Sequence, residues 1–238
     1  NIQPAFFAAN LAHEIYMNKA TAKNNNETLS RSALRRQRER EERYQTILKA
    51  AEKLCVKEGY HQTSINKIAD LAEVSVGTVY FYFKNKEDLL AQLLDEISYL
   101  FRSRIGAEFQ NADSTLEGFM NAGKMFFEEF CQKYPEKVAI MYRESIGQSQ
   151  LLDEHRLKLN EKVLKDIIGA MQRMSENMGF KFPSETAIEV IAVSIMGIYQ
   201  SIASHYLVSN EMNRDIKEVG EVAVNYLVGG VRDMCGIK

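Results

Sequence analysis

The chain has 238 residues, 45% of them hydrophobic, a formal net charge of -2, three prolines and no tryptophan. Such apolar content excludes wholesale disorder, and the shortage of helix breakers makes an all-helical fold the first expectation. Three distant cysteines (Cys55, Cys131, Cys235) and four scattered histidines offer neither zinc-ligand spacing nor a disulfide framework, so no metal or cofactor is expected and a reducing cytoplasm fits.

The charge is unevenly placed. Residues 31–90 hold 12 Lys+Arg against 9 Asp+Glu, a balance of +3, while residues 91–238 hold 16 against 21, a balance of -5. A small module facing phosphates and a larger body that does not would divide charge in this way.

In chain order, residues 1–16 carry Phe7, Leu11 and Ile15 at helical spacing, with no basic residue ahead of Phe6 and Phe7 to suggest a secretory signal. They are expected to be foreign to the natural protein or to precede its true start at Met17, the alternative being a functional extension. The intact mass of the protein made in its own cell checks this. Residues 18–30 are polar and asparagine-rich and read as a flexible linker.

From Ser32 to Glu58 the pattern is helical. Arg35, Glu39 and Arg43 pair at i, i+4 in the first half, and Tyr44, Ile47, Leu48, Ala51, Leu54 and Cys55 form an apolar stripe in the second. Gly59 stops this helix. Arg31, Arg35, Arg36, Arg38 and Arg40 form either a basic arm for phosphate or a minor groove, or one side of a solvated helix. Further helices are predicted at 86–109, 114–134, 136–147, 151–178, 184–208 and 212–232, with start signals at Glu87, Asp88, Ser114, Pro135, Ser184 and Glu185.

The informative stretch is Thr63 to Leu90, TSINKIADLAEVSVGTVYFYFKNKEDLL. Two short helices joined by a tight turn need a small contact residue, here Ala69, and apolar inner faces, here Ile65, Ile68, Ala72, Val74, Val79 and Tyr82. Ser75 is placed to cap the second helix. Ser75, Val76, Gly77 and Thr78 are small enough to let that helix enter a major groove about 12 Å wide. Thr78 suits a base edge or phosphate, Val76 and Phe81 suit thymine methyls, and Tyr80 and Tyr82 offer hydroxyls at phosphate height. Lys84 and Lys86 stand where a following helix begins, a position that favours phosphate. Phe83 reads as core.

These residues resemble the TetR family of bacterial repressors. The likeness runs from Tyr44 to Leu94 and includes the EGY turn at Glu58–Tyr60, T-S-I-x-x-I-A at Thr63–Ala69, and V-S-x-G-T-x-Y-x-Y-F-x-N-K-E-x-L from Val74. Glu73 departs from it, standing where the family often has glycine, and would cost roughly 1 to 2 kcal/mol in a left-handed conformation. The resemblance implies an N-terminal three-helix helix-turn-helix DNA-binding domain at 31–90, after an extension and linker at 1–30. A larger helical-bundle ligand-binding and dimerisation domain at 91–238 would follow. It also implies a homodimer that binds palindromic double-stranded operator DNA and is released by a small-molecule inducer, with DNA roles at Thr63, Ser75, Gly77, Thr78, Tyr80, Tyr82 and Lys86.

Residues 187–208 are apolar nearly all round, which one buried stripe does not require. Glu189, Gln200 and His205 would be costly in lipid, so a soluble helix is expected rather than a membrane span. One face would meet a partner subunit through Val190, Ser194, Gly197, Ser201 and Ser204, matched by Val219, Val222, Ala223 and Tyr226 on the last helix. Phe119, Met120, Met125, Phe126, Phe127, Met141, Met171, Met174, Met178, Met196 and Tyr199 suit either plain core or a chamber for an apolar or amphipathic ligand, since methionine adapts to irregular shapes. Tyr142, Arg143, Glu144 and His155 read as surface groups or as polar anchors for that ligand. A ligand among the helices after residue 105 would tilt helix 86–109 and change the separation of recognition helices that must sit about 34 to 36 Å apart. No catalytic triad order or glycine-rich phosphate loop is present, so neither an enzyme nor a helical interaction protein without DNA binding is the expected reading.

Overall fold

The computed structural model describes residues 31–111, 115–208 and 215–237. The proposed N-terminal helix, the asparagine-rich linker and Ser114 lie outside these residues. The described residues divide into two units, one ending at Gln45 and the other beginning at Thr46. Every regular element among the described residues is helical.

Helix α1 spans Arg31–Glu58. In the first unit it carries exposed i, i+4 pairs, Arg35 with Glu39 at 2.7 Å and Gln45 with Glu41 at 3.2 Å. Such pairs support a helix by only a few tenths of a kcal/mol, about 0.2–0.5 each.

In the second unit α1 continues with Ile47, Leu48, Ala51 and Cys55 buried on one face, the predicted stripe. Gly59 ends it at φ +83°, a conformation that glycine adopts without steric cost. Two short helices follow, α2 at Ile65–Leu71 and α3 at Val76–Tyr82. The long α4, Lys86–Asn111, leads into the body. Asn85 opens α4 by accepting from the Asp88 amide at 2.7 Å, while Asp88 accepts from the Lys84 amide at 2.8 Å.

The body contains α5 at Leu116–Lys124, α6 at Pro135–Ala139, α7 at Gln150–Met178, α8 at Glu185–Ala203 and α9 at Ile216–Cys235. Side-chain oxygens of Thr115, Ser149, Ser184 and Asp215 cap four of these starts. The starts predicted at 114 and 212 lie outside the described residues, and the described helices open at the caps Thr115 and Asp215. Three helices pass into wider π-helical turns at their C-terminal ends: α5 into Met125–Cys131, α6 into Ile140–Glu144 and α8 into Ser204–Val208.

The body's core joins Phe109, Leu116, Met171, Met174, Ile191, Ile195, Val224, Val228 and Val231. Beside it Phe126 stacks on Tyr199 with centroids 5.4 Å apart and meets Phe127 edge-on at 4.9 Å. Two glycines allow this packing. A Cβ on Gly123 would lie 2.2 Å from the Tyr199 hydroxyl, and one on Gly220 would lie 2.5 Å from Phe127 Cβ. Burial pushes the Cys55 and Cys131 thiols up to about 11 and about 12, so both stay protonated near neutral pH.

Candidate nucleic-acid interface

The α2–α3 pair is built as the sequence pattern requires. Ser64 caps α2 by accepting from the Lys67 amide at 3.3 Å, and Ser75 caps α3 by accepting from the Thr78 amide at 3.1 Å. Ile68, Ala69, Ala72 and Val79 are buried between the helices, and Val74 N donates to Ala69 O at 3.0 Å to close the turn. Glu73 takes φ +55° there, alone among the described non-glycine residues. The left-handed geometry expected at this position is thus adopted without a glycine, at a cost of roughly 1 to 2 kcal/mol.

The outward face of α3 separates sharply from its inner one. Tyr80 is 54% and Phe81 67% exposed, whereas Val79 and Phe83 are fully buried. Val76 and Gly77 are also exposed, Thr78 and Tyr82 half-buried, and Lys84 exposed. Ser75 and Thr78 share a hydroxyl hydrogen bond of 2.8 Å, which fixes both oxygens at the head of α3.

Two expected contact residues face the other way. Thr63 is only 1% exposed, and its hydroxyl donates to the Gly59 carbonyl at 2.9 Å. Lys86 turns back to donate to the carbonyls of Tyr60 at 2.9 Å and Thr63 at 3.0 Å, with its ammonium 4.1 Å from the Tyr60 ring centroid. Carbonyls left open by the turn between α1 and α2 outcompete solvent for this cation. Both residues hold the turn together instead of presenting groups outward.

The body places its predicted residues unevenly. Phe119, Met120, Met171, Met174 and Tyr199 belong to or pack on the main core, and Phe126 and Phe127 join them through Tyr199. Met141 and Tyr142 stand apart from that core on the π-turn after α6, and Met196 is half-buried on α8. Burial raises the phenols of Tyr142 and Tyr199 well above their usual range. Glu144 is not a surface charge: it is buried, accepts from the Tyr60 amide at 3.1 Å and also pairs with Arg143. His155 pairs with Asp95 at 3.2 Å.

Helices α8 and α9 leave an apolar stripe uncovered. Val190, Val193, Ser194, Gly197 and Ser201 are exposed on α8, and Val222 and Tyr226 on α9 at 66% and 72%; Ser204 and Val219 are half-buried. By length and composition Glu185–Tyr206 could cross a membrane, and 28% of its most apolar window is buried within the chain.

A capped two-helix wedge with a left-handed turn, followed by a long linking helix and a helical body, defines a helix-turn-helix regulator fold. The profile of the bacterial regulatory proteins of the tetR family matches residues 47–93. The fatty acid metabolism regulator protein of Bacillus subtilis (strain 168) is 33% identical over 129 residues, 54% of this chain and 64% of that protein. Residues 47–93 thus carry a helix-turn-helix segment of the TetR type.

Among solved structures, the transcriptional regulator FadR of Bacillus subtilis in complex with stearoyl-CoA superposes with a TM-score of 0.71 at 23% identity, over 79% of this chain and 98% of that one. AibR in complex with isovaleryl coenzyme A and operator DNA gives 0.63 at 19% identity, over 78% and 98%. These two likenesses establish the fold. The aligned stretches span 64%, 41% and 36% of three curated relatives, less than two thirds of each.

Proposed function

We propose that this chain is a ligand-responsive transcription regulator, a repressor, that binds palindromic double-stranded DNA as a homodimer and is released by a fatty acyl-CoA thioester. The observation that carries the DNA half is the outer face of α3. It holds Val76, Tyr80 and Phe81 in solvent beside Gly77 and Thr78 while the neighbouring Val79 and Phe83 are buried. Apolar groups are kept exposed at a cost, and thymine methyls in a major groove would cover them. Residues 31–90 serve as the DNA-binding domain and 91–238 as the ligand-binding and dimerisation domain, in a cytoplasmic protein with no enzymatic role.

The exposed stripe of α8 and α9 supports pairing with a second copy, in which two helices from each subunit pack around its serine and glycine positions. The ligand class rests on the acyl-CoA molecules bound by the two structural neighbours and on the apolar body around Phe126, Tyr199 and the methionines. A long acyl chain suits a flexible, aromatic and thioether-rich lining.

Selection of bound duplexes from a random pool tests the DNA half. The expected product is a palindrome whose half-sites lie one helical turn apart. Release is then measured with stearoyl-CoA and with free CoA. Stearoyl-CoA should weaken duplex binding at least tenfold and free CoA should not. Failure to enrich any duplex sinks the regulator reading, and indifference to acyl-CoA of every chain length removes the ligand while leaving the DNA half intact.

A further inference from the structure

We infer that Glu144 is a positioning residue for DNA recognition, linking the body directly to the turn that precedes α2. The inference rests on the regulator reading above and deepens it by naming how the body acts on the module.

Glu144 closes the π-turn Ile140–Glu144. Its Oε2 accepts from the backbone amide of Tyr60, 84 positions earlier in the chain, and its Oε1 accepts from Arg143. A peptide N–H given to a buried carboxylate makes a charge-assisted bond stronger than one to a neutral acceptor. Tyr60 is held from the other side as well, because its carbonyl accepts from Lys86 at the head of α4. The same ammonium holds the carbonyl of Thr63, the residue just before the Ser64 cap of α2. An anion from the body and a cation from α4 therefore clamp one peptide segment whose far end sets where α2 begins.

A second link joins the same parts. Lys137, on α6, pairs with Glu52 on α1 at 2.6 Å, both half-buried. The helix and π-turn spanning Pro135–Glu144 are thus fastened to the module at both ends. Met141 and Tyr142 lie within that turn, half-buried in the body. π-helical turns are rare and recur at functional sites, where an extra residue per turn offers an alternative hydrogen-bond register. A change of register at Ile140–Glu144 would carry Glu144 with it and shift Tyr60, and so reset the wedge. Coupling of this kind needs one element whose two arrangements both sites favour differently.

The test uses the full chain, a duplex selected by the wild type, and stearoyl-CoA as probe. Glu144→Ala should weaken duplex binding about tenfold, reduce the stearoyl-CoA effect to under twofold and speed hydrogen exchange at the Tyr60 amide. Glu144→Gln keeps an acceptor oxygen and should restore all three most of the way, whereas Glu144→Met, which fills the same space without an acceptor, should not; rescue by both would reduce Glu144 to packing. If Glu144→Ala does not fold, Lys137→Met carries the test, with a smaller loss of the stearoyl-CoA response expected. Variants that fold, bind and respond as the wild type does beside a responsive wild type overturn this inference alone. A wild type that selects no duplex overturns the regulator reading and the inference together.

Discussion

Phe81 and Phe126 are the same residue in opposite circumstances. Phe81 stands on a seven-residue helix with two thirds of its surface in water, and Phe126 is wholly buried against Tyr199 and Phe127. The body uses its aromatic rings for stability. The wedge gives up that stabilisation on its outer face, burying Ile68, Ala69, Ala72, Val79 and Phe83 but not Tyr80 or Phe81, so it has side chains left with which to meet something else.

Substituting the two phenylalanines separates these roles most clearly. Phe126→Ala should destabilise the fold by about 3 to 5 kcal/mol in urea unfolding, the range for large buried aromatics. Phe81→Ala should change stability by no more than about 0.5 kcal/mol while weakening binding to the selected duplex. Equal losses of stability would erase the contrast. The exposed stripe of α8 and α9 allows a second comparison. Val222→Glu combined with Tyr226→Glu should turn a dimer into a folded monomer in sedimentation velocity, because charges at a desolvated contact without partners are strongly unfavourable. An unaltered sedimentation coefficient would remove α9 from any subunit contact.

Glycines sharpen the picture at finer scale. Gly220→Ala places a methyl against Phe127 and should cost about 1 to 3 kcal/mol. Gly77→Ala meets only Ser75 Oγ at 3.7 Å and should leave thermal unfolding unchanged. A small gain is expected at the turn. Glu73→Gly relieves φ +55° and should gain up to about 1 kcal/mol once the entropy of the added glycine is counted; a loss would show that Glu73 is held by contacts rather than tolerated.

Much of this was readable before any coordinates, and the readable part was local. Ser75 and Ser184 announced their helices and Gly59 its stop, because each depends on neighbours within four residues; the left-handed turn at Glu73 was implied only by the family resemblance. The inner face of the wedge followed from periodicity, as did the apolar girth of α8.

What could not be read depends on distant partners. Lys86 reads as a phosphate contact in the sequence and the family resemblance implies a DNA role for Thr63, yet both are claimed by carbonyls of the α1–α2 turn, which periodicity cannot reveal. Arg143–Glu144 resembles an ordinary charged surface pair, and only the amide 84 positions away makes Glu144 a buried link. The π-turns leave no pattern in composition at all. The long apolar list in the body was ambiguous for a physical reason: core and ligand lining demand the same side chains, and placing Phe126, Met171 and Met174 at zero exposure does not alter what those side chains would offer an acyl chain.

Helix α9 is thin where it matters. At Gly220 nothing but main chain separates the Phe127 ring from the opposite side of the helix, where Val222 and Tyr226 emerge. A longer residue there would act as a cushion, absorbing small rotations by changing rotamer; bare backbone has no such compliance. In a two-fold assembly built on that side, movement of the ring in one subunit would be passed on as displacement of a whole helix, so both halves would register a single binding event.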